Sequence, residues 1–145
     1  MIRELETFLN EDIRRRLEDK FGGAKLFRLG VPRKVRESAL AIAAQKNVEL
    51  DPDDHVEPWE CLHLIDYHAI IMQSQEIWLE LFARQYTRPG DESKPGSWKA
   101  RANWMVELNR IRNENDHTYV VKPKEYEFLT QLTAWLVKGQ IENDL

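Results

Sequence analysis

The sequence has one cysteine, Cys61, and only 6 glycines and 6 prolines among its 145 residues. A single cysteine cannot form a disulfide within the chain, and its place in an apolar stretch indicates a buried thiol in a reducing compartment. No window is apolar for long enough to cross a membrane, and the charged, amphipathic first residues lack the apolar core of a secretory signal. We therefore expect a cytoplasmic protein with no membrane partner.

A large excess of positive charge is also missing. The 21 basic and 25 acidic side chains give a net charge of −4, which argues against a wide basic face that coats duplex DNA. That balance still leaves room for a small phosphate site. Residues 99–112 carry four basic side chains against one acidic side chain, and we expect three of the basic ones to contact RNA: Lys99, Arg101 and Arg110.

The patterns of common metal and nucleotide sites are absent as well. The stretch DPDDHVEPWECL begins like a calcium loop, but Val56 replaces the turn glycine and Leu62 replaces the bidentate glutamate. Cys61 and His63 are two residues apart and His63 and His68 are five apart, so neither pair shares a helix face, and His55 adds no recognised zinc spacing. FGGAK lacks the rest of a phosphate-binding loop. We expect neither a metal nor a cofactor.

Apolar residues recur at steps of three and four, which is typical of amphipathic helices, and no segment alternates with period two. Together with capping residues and breakers, this spacing predicts helices over residues 2–19, 32–46, 58–86, 97–113 and 123–139. The third could be one helix or two joined near residues 73–75, and AKLFRLG is expected to be a link. We predict an all-α fold in which residues 1–145 form one domain, an antiparallel bundle of four or five helices.

One polar stretch, RNENDHTY at residues 112–119, fits poorly into a plain bundle. Arg112 follows Met105 and Leu108 by seven and four positions, so its guanidinium should emerge at the edge of a buried helix face. His117 comes five residues later, and we expect it just past the helix end. A break in the helix there would turn the imidazole back toward Arg112.

An arginine and a histidine supply part of the chemistry that cleaves RNA without a metal. Histidine titrates near neutral pH and transfers protons, whereas arginine offers a planar fork of donors to phosphate oxygens. The reaction needs a base, an acid and a cation, which is more than one such pair provides. Two protomers around a two-fold axis would supply two histidines and two arginines to one cleft, so this hypothesis predicts a homodimer.

In these residues the chain resembles the HEPN superfamily, small α-helical domains many of which are metal-independent ribonucleases. The family motif is an arginine, usually followed by a polar residue, four to six positions before a histidine at the end of a late helix. Arg112, Asn113 and His117 match it in order and place. The resemblance implies a HEPN-like fold, a homodimer with these three residues in a catalytic cleft at its interface, and RNA cleavage that leaves 2′,3′-cyclic phosphate ends. It also implies a role as a toxin or an antiviral effector.

Two features of the resemblance bear on partners. The form R-x4-H-x-Y resembles HEPN toxins that are paired with nucleotidyltransferase antitoxins, which implies that Tyr119 is adenylylated. The region upstream of the motif resembles HEPN domains in larger defence or RNA-surveillance proteins, which implies a fused or associated ATPase. Both alternatives stay open on the sequence.

Each motif residue also has a plainer structural explanation. Arg112 could form an ion pair with Glu114 or Asp116, the histidine could interact with the helix dipole, and the asparagine could simply end the helix. The tyrosine could pack in the core or in an interface. A catalytically silent HEPN-like module for dimerisation or partner binding is therefore the main alternative to an enzyme, and nucleotide binding without cleavage is a third.

Overall fold

The computed structural model describes residues 1–118 and 121–139, without the side chains of residues 115–118. All regular structure in these ranges is helical. The helices are α1 (Ile2–Phe21), α2 (Leu26–Gly30), α3 (Arg33–Asn47), α4 (Leu64–Ile71), α5 (75–86), α6 (Asn103–Thr118) and α7 (123–138). Helix α5 contains a π-helical turn at Trp78–Phe82, and α7 ends in another at Thr133–Lys138. Short 3-10 helices lie at Pro52–Asp54, Pro58–Cys61 and Trp98–Ala102.

The predicted all-helical fold is confirmed for the described residues, and several helix bounds differ from the expected ones. The long apolar region is two helices, because residues 72–74 break it and the Ser74 hydroxyl accepts a hydrogen bond from the Ile77 N–H (3.1 Å) at the start of α5. The first turn of the long apolar region, Pro58–Cys61, is a separate 3-10 helix. The expected link AKLFRLG contains α2, and α6 continues past Asn113 to Thr118.

Helix α1 contributes one fully buried stripe to the core of the bundle. Leu5, Leu9, Ile13 and Leu17 recur every four residues, so they form one stripe along the helix, and all four are 0% exposed. Complete burial of each such side chain contributes roughly 1.5–3 kcal/mol. This stripe is part of one hydrophobic core with side chains from the later helices, among them Trp78, Phe82, Met105, Leu108, Leu132 and Leu136.

Contacts between polar side chains show the direction of α5 relative to α1. The Lys20 ammonium lies 2.6 Å from a carboxylate oxygen of Glu80, and the Tyr86 hydroxyl donates to the Asp12 carboxylate at 2.7 Å. Residue numbers therefore fall along α5 as they rise along α1. The two helices run antiparallel, as the bundle prediction requires.

Helices α6 and α7 are also antiparallel. The rings of Trp104 and Trp135 meet edge to face with centroids 5.2 Å apart, and the Arg110 guanidinium lies 3.3 Å from a carboxylate oxygen of Glu125. The start of α6 thus packs on the end of α7. Within the described residues, no helix is long and apolar enough to span a membrane.

Candidate functional site

Arg112 lies in the second half of α6, six residues before its last residue, and contacts α1. Its Nε–H donates to Oε1 of Glu6 at 2.7 Å, which makes an ion pair between residues 106 positions apart in the chain. The Arg112 side chain is 34% exposed and the Glu6 side chain 31% exposed. The structure therefore places Arg112 at the edge of the core, as its spacing predicts, and adds a partner that local spacing does not reveal.

The expected helix break after Arg112 is wrong, because α6 is continuous to Thr118. An α-helix turns about 100° per residue, so positions 112 and 117 lie roughly 140° apart around its axis. The side chain of His117 lies outside the described residues, and so does the whole of Tyr119. Asn113 is exposed and lies within α6, so the helix does not end at this asparagine.

Arg110, one of the expected RNA contacts, is the centre of an ion-pair cluster. Its guanidinium nitrogens lie 2.5 Å from Glu107, 2.7 Å from Glu114 and 3.3 Å from Glu125. The hydrogen bond to Glu107, followed by the one to Glu114, raises the pKa of Arg110. The hydrogen bond between Arg110 and Glu107 also lowers the pKa of Glu107. These contacts join two turns of α6 to the start of α7.

The other two expected RNA contacts lie at the opposite end of α6. Arg101 Nη1 donates to the backbone carbonyls of Asp91 (2.6 Å) and Lys94 (2.8 Å), and so anchors the preceding loop. The Lys99 ammonium lies 5.7 Å from the centroid of the Trp98 ring. At 1.5 Å per residue, the nine residues from the start of α6 to Arg112 span about 14 Å. The structure therefore does not bring Lys99 and Arg101 next to Arg112.

A buried polar cluster that the sequence analysis did not identify surrounds Asp12 on α1. Asp12 is 6% exposed, and its carboxylate accepts hydrogen bonds from Arg15 (2.6 Å), Arg16 (2.8 Å) and the Tyr86 hydroxyl (2.7 Å). A sequence signal for it exists. Asp12 follows Leu5 by seven residues, which places it on the buried face of α1, and Arg15 and Arg16 follow it by three and four residues, the spacing at which helical side chains meet.

The cluster joins three helices. Arg16 also donates to the Leu81 carbonyl in the π-helical turn of α5 (3.2 Å), and its guanidinium carbon lies 5.7 Å from the centroid of the Tyr86 ring. The Tyr86 carbonyl in turn accepts a hydrogen bond from the Trp104 indole N–H at 2.8 Å. Helices α1, α5 and α6 therefore meet at a polar layer inside an apolar core, and the cluster has a structural role.

The two acids of this cluster have shifted pKa values. Burial by itself would raise the pKa of Asp12, but hydrogen bonds from Arg16, Tyr86 and Arg15 outweigh burial and lower it. Burial, followed by the charge of Asp12, raises the pKa of Tyr86 well above its usual value. Folding thus favours the ionised carboxylate and the neutral phenol.

These shifts predict that the protein loses stability at both ends of the pH scale. A lowered folded pKa means that the contribution of Asp12 is present above about pH 4 and is lost as the pH falls further. A raised folded pKa means that the contribution of Tyr86 is present below about pH 10 and is lost above it. The check is the free energy of unfolding in urea across pH. An alkaline decline in Tyr86→Phe as steep as that of the wild type would contradict the assignment.

A cavity of about 670 Å³ lies between α6 and α7, close to the end of α6. Its wall combines apolar side chains, two exposed lysines and three members of the Arg110 ion-pair cluster, namely Ile111, Pro123, Phe128, Lys122, Lys124, Glu107, Arg110 and Glu125. The described part of the chain contains no group of three or more histidine, cysteine, aspartate or glutamate side chains arranged to hold a metal ion.

Comparison with other proteins gives no relative: no family model, no curated protein and no solved structure matches this chain. The described residues define an all-helical bundle with a buried polar cluster and an arginine of a late helix that is paired with a glutamate of the first helix. Membership of the HEPN superfamily stays a prediction from the sequence motif.

Proposed function

We propose that the protein is a homodimeric, metal-independent endoribonuclease of the HEPN type, with Arg112, His117 and Asn113 in its catalytic cleft. The observation that carries the proposal is the position of Arg112. Its guanidinium is held at the end of a bundle by Glu6 while a third of its side chain faces solvent. A fixed, accessible guanidinium suits a site that stabilises charge on phosphate.

The reaction follows from the chemistry of these groups. In one copy of the protein, the neutral imidazole of His117 takes the proton from a ribose 2′-hydroxyl, and the 2′-oxygen attacks the adjacent phosphorus. The bond from phosphorus to the 5′-oxygen breaks, and the imidazolium of the second copy protonates that oxygen. Arg112 stabilises the extra negative charge on the phosphate oxygens. The products are a 2′,3′-cyclic phosphate and a 5′-hydroxyl end.

The geometry of α6 supports the dimeric form of this proposal. Positions 112 and 117 are separated by roughly 140° around a continuous helix, so one α6 does not present both positions on the same face. Two copies of α6 that pack around a two-fold axis can bring Arg112 of one protomer toward His117 of the other. The cavity between α6 and α7 offers space for a nucleotide beside such a cleft.

Uncontrolled cleavage of RNA would harm the cell that makes the enzyme, so the proposal includes a role as a toxin or an antiviral effector under control. A nucleotidyltransferase antitoxin that modifies Tyr119 is one form of control. A fused or associated ATPase that senses a signal is the other.

The test is cleavage of end-labelled tRNA and of mixed RNA by the purified protein in excess EDTA, with His117→Ala as the control. We expect cleavage that survives the chelator, disappears in the variant and leaves 2′,3′-cyclic phosphate ends. Light scattering should give the mass of a dimer. A folded wild-type protein that leaves both RNAs intact, or a His117→Ala variant that cleaves as well as the wild type, would contradict the proposal.

A second candidate, a catalytically silent dimerisation or partner-binding module, is favoured by the contacts of the basic residues. Arg101 is bonded to backbone carbonyls and Arg110 to three carboxylates, so both contribute to the architecture of the bundle. This candidate predicts a stable dimer without nuclease activity. It also predicts that His117→Ala leaves dimerisation unchanged.

A further inference from the structure

The ion pair between α1 and α6 leads to an inference that rests on the proposed ribonuclease function. We infer that Glu6 is a positioning residue, which fixes the plane of the Arg112 guanidinium so that the arginine meets the phosphate in one orientation. Glu6 is 106 residues away in the chain and belongs to no motif of the sequence. Only the packing of α1 against α6 brings it to the site.

The geometry of the contact favours orientation. Glu6 Oε1 accepts from Nε of Arg112, which is the nitrogen inside the side chain and one edge of a rigid plane of donors. A hydrogen bond at that edge restricts rotation of the whole guanidinium, because the group is planar. Both side chains remain about one third exposed, so the pair is reachable from solvent while its geometry is fixed.

The helix that carries Glu6 is itself anchored close to the pair. One turn later on α1, the Asn10 amide donates to the Tyr67 hydroxyl on α4 at 2.8 Å, and Tyr67 is only 4% exposed. Burial raises the pKa of Tyr67, and the negative charge of Glu6 adds to the shift. The hydrogen bond between Asn10 and Tyr67 thus ties α1 to α4 one turn from the Arg112 contact.

Glu6 could orient Arg112 or could block it, and the two roles predict opposite effects of removing Glu6 on RNA cleavage. If Glu6 only blocked Arg112, its removal would expose the guanidinium further and strengthen RNA cleavage. If Glu6 orients Arg112, its removal takes away the contact at Nε, and the guanidinium then meets the reacting phosphate in more orientations while still attracting RNA. The expected loss is then in kcat, with little change in KM.

The experiment compares Glu6→Ala, Glu6→Gln and the wild type in the EDTA-resistant cleavage assay. We expect Glu6→Ala to lower kcat on the order of 10-fold or more, because misplacing a catalytic group reduces the rate by about that much or more, while KM changes little. Glu6→Gln should restore most of kcat, because its carbonyl oxygen accepts the same Nε–H. The control is Glu57→Ala, which removes another carboxylate paired with an arginine of α1 (Arg14, 3.2 Å) and should leave kcat unchanged.

A measurement without RNA separates failure of this inference from failure of the proposed function. Exchange of the Arg112 Nε–H with water, followed by NMR, should be slow in the wild type and Glu6→Gln and fast in Glu6→Ala. If the wild type cleaves RNA and Glu6→Ala has unchanged or higher kcat, the inference is wrong and the ribonuclease proposal stands. If the wild type does not cleave RNA, both are wrong, and slow exchange would then report only a structural ion pair.

Discussion

The Arg112→Ala variant is expected to cleave RNA on the order of 100- to 1,000-fold more slowly than the wild type, which is the usual effect of removing a group that stabilises charge in the transition state. The loss should appear mainly in kcat, because the extra negative charge on phosphate develops as the 2′-oxygen attacks. Arg112→Lys should recover only a small part of the lost cleavage rate, since an ammonium cannot provide the planar fork of donors that a guanidinium offers to phosphate. The measurement is single-turnover cleavage of end-labelled RNA in EDTA.

A structural role of Arg112 has to be separated from a chemical one, because the residue also joins α6 to α1. Arg14→Ala is a matched control, since Arg14 also makes an ion pair with a glutamate from a partly exposed position on the surface (Glu57, 3.2 Å). The free energies of unfolding of both variants should lie within about 1 kcal/mol of the wild-type value, as expected for ion pairs at the surface. Cleavage by a folded Arg112→Ala protein at the wild-type rate would exclude the proposed site.

The Asp12→Ala variant should show the largest loss of stability of any single change considered, roughly 3–5 kcal/mol. The substitution removes the acceptor for three hydrogen bonds at a position that is 6% exposed. It leaves the Tyr86 hydroxyl buried without that acceptor and leaves Arg16, only 15% exposed, without its carboxylate. Since the folding free energy of a domain is about 5–15 kcal/mol, a loss of this size is a large fraction of the total.

Urea unfolding followed by circular dichroism measures this loss. Glu37→Ala is the control, because it removes a carboxylate from an ion pair (Arg33–Glu37, 2.8 Å) whose side chains are 83% and 60% exposed, and it should cost less than about 1 kcal/mol. If Asp12→Ala does not fold, Tyr86→Phe removes one hydrogen bond and should cost about 1–3 kcal/mol. Equal stability of the wild type and either core variant would contradict the role assigned to the cluster.

The helices could be predicted from the sequence where apolar residues repeat over several turns. The first helix was expected at residues 2–19 and lies at Ile2–Phe21, because its stripe of leucines and isoleucine is long enough to give a clear period. The five-residue helix Leu26–Gly30 was not predicted, because one turn and a half contains no repeat from which a period can be read. Its first residue, Leu26, is buried against the rest of the core.

The end of α6 was placed too early for a related reason. The apolar stripe stops near Ile111, and the polar residues that follow carry no periodic signal, so the helix was expected to end at about Asn113. The backbone continues because local contacts support it: Arg110 pairs with Glu107 and Glu114 on the same side of the helix. The expected break was therefore wrong, whereas the expected return of the His117 side chain toward Arg112 lies outside the described residues.

The sequence by itself determined the helical class of the fold, most helix positions and the motif of Arg112, Asn113 and His117. These properties depend on residues within a few positions of one another, so they can be read along the chain. The tertiary structure alone decided the partners of the buried and half-buried charges. Glu6 and Arg112 are 106 residues apart, and Asp12 and Tyr86 are 74 apart. Such pairs form only when α1 docks against helices made much later in the chain, and no local spacing contains that information.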